Sequence, residues 1–164
     1  MSSHPYPPSH GPRAEAIDPD VDLHVPAQRL EVEGPRKGKV LAVIAVGGAV
    51  GASARYGVSL LWPSAWATFA VNVFGCLLIG VLMVLVSERG VVTRPLVRPF
   101  VGVGVLGGFT TFSTYALDFA RLLERHRAGT ALLYAVATLA GAVAAVWLGA
   151  SVTRRLVDRR EAGP

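Results

Sequence analysis

The residues of this chain with the most chemistry to offer are Thr110, Thr111, Phe112, Ser113, Thr114 and Tyr115, which follow the glycine pair Gly107 and Gly108. They sit in an apolar stretch, GVGVLGGFTTFSTY at 102–115, where a lipid-embedded helix ordinarily carries leucine and isoleucine. Glycine loosens a helix. Backbone that leaves the helical ladder inside a bilayer persists only where protein, water or an ion takes up the freed amides and carbonyls. Phe112 and Tyr115, three apart, share one helical face, with hydroxyls between and beside them. Uncharged donors and aromatic rings in that arrangement point to an ion path. No nucleophile with its base and no metal-ligand cluster is visible in the sequence, which argues against an enzyme. Two residues in other apolar stretches join the set. Asn72 has an amide able to donate two hydrogen bonds, and it shares a face with Thr68 and Gly75. Arg55 is a permanent cation that either faces protein, water or an anion, or snorkels to the interface.

The elements that must position these residues are transmembrane helices. Of 164 residues, 52% are hydrophobic and 16% charged, a balance that would give a soluble domain an implausibly apolar surface. The charges are segregated as well: Arg55 alone interrupts the stretch from Val40 to Val86, and none lies between Thr130 and Val152. Four stretches, 40–62, 66–86, 100–119 and 130–152, reach the roughly 20 apolar residues that a crossing needs. They leave no room for a globular catalytic domain. The net charge of +5 would admit a nucleic-acid partner. Lys and Arg gather at the ends of the apolar stretches, however, where they orient membrane proteins, so no nucleic acid is expected. The single cysteine, Cys76, cannot form an intrachain disulfide.

The domain organisation follows. Residues 1–38 hold seven of the eleven prolines and no sustained apolar period, and read as a disordered tail. Asp18, Asp20 and Asp22 alternate there like the first half of a calcium loop, without its glycine or closing glutamate. A basic start running straight into a short apolar segment is missing, so no cleaved signal peptide is expected. Residues 39–153 form the transmembrane domain and 154–164 a basic C-terminal tail. In the first span Gly47, Gly48, Gly51 and Ala52 make a smooth face for close helix packing. The loop at 63–65 is so short that spans one and two must be antiparallel neighbours. Asp118 and Arg121, three apart, are expected to pair. His126 lies in a basic loop with Arg125 and Arg127 that reads as a solvated turn. The stripe Tyr134, Thr138 and Gly141 reads as packing.

Three motifs, GGAVGASARY at 47–56, TFAVN with its glycine at 68–75 and GVLGGFTTFST at 104–114, resemble in order those of the CrcB or Fluc fluoride channels. The resemblance covers residues 39–153. It implies an all-α membrane protein of four helices, the third broken between Gly107 and Thr111. Two such subunits would pair antiparallel, with two narrow fluoride pores and a structural sodium ion at the dimer centre. By motif position, Asn72 would donate to fluoride and Phe112 would present its electropositive ring edge. Arg55 would face an aqueous vestibule, and Thr114, with Ser113 beside it, would join a hydroxyl track. Gly107 and Thr110 would offer backbone carbonyls to the sodium, a hard cation that seeks oxygen. Tyr115 stands where the family usually has a second phenylalanine, so a phenol joins or replaces an edge contact. The implied function is passive export of fluoride from the cytoplasm, across the cell membrane, as protection against its toxicity.

With four spans, the termini and the middle loop share one side. That side carries Arg36, Lys37, Lys39, Arg89, Arg94, Arg98, Arg154 and Arg155, against Arg121, Arg125 and Arg127 on the other. The bias favours cytoplasmic termini. A dual-topology homodimer would be nearly unbiased, so the bias points to a chain that inserts mainly one way and pairs with a related, oppositely oriented subunit, a homodimer being the alternative. Two rival readings remain at this stage. A proton-coupled exporter of small cationic drugs needs an intramembrane carboxylate, which spans one, two and four lack. A purely structural membrane subunit would use the glycines for packing alone.

Overall fold

A computed structural model describes residues 37–88 and 96–161. The expected disordered tail, apart from its last two residues, the acidic triplet and most of the middle loop lie outside the described residues. Within them the chain is all-helical, with no strand, and four helical stretches are long and apolar enough to cross a membrane: Gly38–Leu61, Ala65–Val86, Arg98–Glu124 and Ala128–Arg160. The chain is therefore a multi-pass membrane protein. Its surface fits a lipid solvent, because Leu61, Leu139 and Trp147 stand mostly exposed on helix faces, where water would penalise them.

Helix α1 (Lys37–Leu61) is followed by a short turn, and Ser64 then caps α2 (Ala65–Met83) by accepting the Trp66 N–H at 3.2 Å. A π-helical turn, Val84–Glu88, extends α2. The third crossing opens with α3 (Arg98–Leu106), nine residues wound as a π-helix with proline in its first turn, and continues into the short α4 (Gly107–Phe109). Such winding is rare and is frequent at functional sites. Then come α5 (Phe112–Glu124) and α6 (Ala128–Glu161). Residues 154–161, expected as a tail, continue the α6 helix.

Two helix pairs build the bundle, α1 with α3 and α4, and α2 with α6. Glycine makes both contacts possible. A Cβ added at Gly104 would stand 2.8 Å from the Ile44 carbonyl oxygen, and one at Gly51 2.8 Å from the Phe109 nitrogen. Gly80 and Gly149 play the same part between α2 and α6, meeting the Val146 and Leu77 carbonyls. Helices this close gain dispersion contacts that bulkier residues would prevent, which matters where lipid supplies no hydrophobic drive to association.

Between α5 and α6 the chain turns through a Schellman motif. The Arg127 N–H bonds the Leu122 carbonyl at 3.0 Å and the His126 N–H the Leu123 carbonyl at 2.9 Å, which satisfies two end carbonyls of α5. His126 occupies the left-handed position with φ 56°, usually taken by glycine. This turn fixes where Arg125 and Arg127 emerge.

Candidate functional site

Thr110 (φ −75°, ψ 157°) and Thr111 (φ −151°, ψ 126°) adopt extended dihedrals between α4 and α5. The glycines before them do not. Gly107 is helical at φ −65°, ψ −36°, and Gly108 lies within α4. Gly108 admits the Gly48 backbone of α1, whose Cα would stand 3.0 Å from an added Cβ.

The extended pair is held by a residue from α2. Asn72 Oδ1 accepts the Thr111 N–H at 2.8 Å, and Asn72 Nδ2 donates to the Thr111 carbonyl at 3.0 Å. In a continuous helix that N–H would bond the Gly107 carbonyl. Asn72 thus replaces the ladder partner of the Thr111 N–H and adds a second donor to a carbonyl that already accepts the first bond of α5; among the described residues one of its two amide hydrogens has no acceptor. Thr111 Oγ1 in turn caps α5 by accepting the Thr114 N–H at 3.2 Å, donates to Thr114 Oγ1 at 3.1 Å and lies 3.2 Å from Ser113 Oγ. Arg55, half-buried on α1, donates from Nε to the Gly108 carbonyl at 3.2 Å. Thr110 sends both its N–H and its hydroxyl to the Leu106 carbonyl, each at 2.9 Å, and Gly75 makes room for its methyl group.

Two cavities meet at Thr111. A polar mouth of about 650 Å³ is lined by Arg55, Thr68, Thr111, Thr114 and Asp118 among others. An apolar groove of about 570 Å³ is lined by Asn72, Thr110, Thr111, Phe112 and Tyr115 among others. The residues singled out in the sequence are thus divided: Arg55 and Thr114 at the mouth, Asn72, Phe112 and Tyr115 in the groove, Ser113 beside Thr111. Phe112 is 81% exposed, its ring turned outward from this chain. Tyr115 stacks between Phe112 and Tyr134, with centroids 5.7 and 5.4 Å away.

Asp118 and Arg121 pair at 3.9 Å, as their spacing suggests. A shorter contact links Asp118 to α2, where Thr68 Oγ1 donates to Asp118 Oδ2 at 2.7 Å. Sequence reasoning missed that bond and the place of Tyr134, which lines the mouth with a buried hydroxyl that has no hydrogen-bond partner among the described residues. The polar stripe on the fourth span was its only signal.

The carbonyls of Gly107 and Thr110 suit a hard cation. Gly107 has nothing within 4 Å of its Cβ position, and the amide that would have bonded its carbonyl has turned to Asn72. The extended dihedrals of Thr110 turn its carbonyl out of the helical ladder. Among the described residues no three His, Cys, Asp or Glu side chains converge.

Residues 42–150 match the family described as CrcB-like protein, Camphor Resistance (CrcB). A Streptomyces coelicolor protein named "Fluoride-specific ion channel FluC 1" is 51% identical over 74% of this chain and 82% of its own length. "Fluoride-specific ion channel FluC 2" of Streptomyces avermitilis is 46% identical over 91% of this chain and 97% of its own. In Nocardia farcinica a protein also named "Fluoride-specific ion channel FluC 2" shares 52% identity over 70% of this chain and 85% of its own. A match across two thirds of the sequence, with 46–52% identity to relatives covered over 82–97% of their own length, places the chain in the CrcB-like protein family.

Proposed function

We propose that this protein is a fluoride-selective channel through which fluoride leaves the cytoplasm passively; it is not an enzyme. The observation that carries the reading is the junction at Thr111, where an arginine-bearing polar mouth meets a groove with rings and uncharged donors. The names of its relatives point the same way. Fluoride is small and strongly hydrated, so a selective pore must replace its water with several close donors and leave little empty space. The free amide hydrogen of Asn72, the hydroxyls of Ser113, Thr114 and Tyr115, and the ring edge of Phe112 supply contacts of that kind. Fixed charge is absent from this set, so an ion entering the groove is not trapped. Arg55 acts earlier, at the mouth. An inside-negative potential drives the anion outward, which supports a role in fluoride protection at the plasma membrane.

In this reading the extended pair Thr110 and Thr111 is the break in the third span. The exposed ring of Phe112 and the open side of the groove favour a dimer, antiparallel, with either a second copy or a related subunit of opposite orientation. A sodium ion at its centre would be held by the Gly107 and Thr110 carbonyls, tying the two broken helices together as a structural element. The lysine and arginine bias supports cytoplasmic termini.

The test is fluoride efflux from liposomes containing the purified chain, read with a fluoride electrode beside a chloride control. Fast efflux selective for fluoride is expected. Phe112→Ile should abolish it while leaving folding intact, because that ring makes few contacts within its own chain. Vesicles that retain fluoride both with this chain alone and with a co-reconstituted relative would exclude the channel.

A further inference from the structure

The polar mouth carries more positive charge than the junction beneath it needs. Four arginines line it, Arg55, Arg121, Arg125 and Arg127, against one carboxylate, Asp118. Arg55 is committed to the Gly108 carbonyl and Arg121 pairs with Asp118 at 3.9 Å. Among the described residues Arg125 and Arg127 have no acidic partner. Their placement is not that of free tails. The Schellman turn that ends α5 locks the backbone from Arg121 to Arg127, and it does so with a non-glycine residue at φ 56°. Arg125 and Arg127 therefore flank the opening from fixed points on either side of His126. Charges counted in the sequence only as orientation signals also border the cavity at one end of the ion's path, which in an antiparallel pair faces the cytoplasm in one of the two subunits.

Resting on the channel reading above, we propose that Arg121, Arg125 and Arg127 form an anion-collecting funnel that raises the concentration of fluoride at the mouth. Clefts lined by one sign of charge focus the field and speed the arrival of counter-ions. The three side chains are exposed, so the effect is governed by salt. A cation about 8 Å from the entering ion, in water, raises the local monovalent anion concentration roughly twofold when the Debye length is about 30 Å, and by almost nothing when it is about 3 Å. Three of them acting together give roughly eightfold at the longer length. The funnel sets how fast ions arrive and leaves selectivity to the groove.

The experiment measures initial fluoride efflux from liposomes at fluoride concentrations well below saturation, over a series of ionic strengths set by a large impermeant anion. The proteins are the full-length wild type, the Arg121→Gln/Arg125→Gln/Arg127→Gln triple variant and the corresponding triple Arg→Lys variant. The wild-type rate should exceed the glutamine variant's by roughly eightfold at about 10 mM ionic strength, and the two should converge at about 1 M. The lysine variant should follow the wild type throughout, since charge and not guanidinium geometry is at work. Should the triple glutamine variant fail to assemble, Arg127→Gln alone should show about a twofold deficit at low salt. A deficit that is the same at every ionic strength, or none at all, would overturn the funnel while leaving the channel intact. Vesicles that release no fluoride at any salt, both with the wild-type chain alone and with a co-reconstituted relative, would overturn the channel reading, and the funnel with it.

Discussion

Replacing Asn72 with alanine tests the architecture of the junction most directly. The substitution removes two hydrogen bonds, at 2.8 and 3.0 Å, and leaves the Thr111 N–H without a partner, while the carbonyl keeps the first intrahelical bond of α5. A buried backbone group left without a partner costs about 1–3 kcal/mol. Thr111 is half-buried and borders the polar mouth, so water reaches part of it and the lower half of that range applies, about 1–2 kcal/mol for the orphaned N–H. For a protein of this size each kcal/mol moves the thermal midpoint by about 2–4 °C, which gives a fall of about 2–8 °C. Thermal unfolding of the purified protein in detergent reads this, and fluoride efflux is measured on the same preparation. Both should fall. Asn72→Asp keeps an acceptor for the Thr111 N–H but loses the donor to its carbonyl, and should give an intermediate midpoint. An Asn72→Ala protein that loses flux with its midpoint unchanged would show that Asn72 touches the ion without holding the backbone, and would refute the clamp.

Two further predictions concern the assembly and the helix contacts. Exchanging sodium for a large organic cation during purification should lower the thermal midpoint and the dimer fraction on size-exclusion chromatography, both recovering when sodium returns; indifference to sodium would remove the ion from Gly107 and Thr110. Gly104→Ala should lower the midpoint by the equivalent of about 1–3 kcal/mol, the cost of forcing atoms into a packed contact, since its Cβ meets the Ile44 backbone. Gly38→Ala, with nothing within 4 Å, should be neutral in the same melt.

The spans were legible because charge is so sharply segregated from apolar sequence, and because hydropathy is a property of each stretch by itself. Their ends were less so. Arg154 to Arg160 end the hydropathy but not the helix, as arginine and leucine sustain α-helix well. The importance of residues 110–115 could be read from hydroxyls lying too deep in an apolar run. Which of them leave the helix could not be read. Gly107 and Gly108 are the usual signal, yet the extended residues are Thr110 and Thr111, because the partner that compensates them, Asn72, lies 39 positions away. The Thr68 to Asp118 bond spans 50 positions and is equally invisible to local spacing, whereas the Asp118 and Arg121 pair, one helical turn apart, was plain. Nothing in RPFVGVGVL announces π winding over a conventional helix.

The length of α6 has its own consequence. Its 34 residues extend about 51 Å at 1.5 Å per residue, against a hydrocarbon core of about 30 Å. To lie wholly within that core it would have to lean by more than about 50°, beyond the roughly 40° that membrane helices reach. Part of it therefore extends beyond the hydrocarbon core as an unbroken rod. A reporter domain fused in helical register to that end would be carried rigidly, so its orientation in a tomogram would reveal which way up each subunit sits.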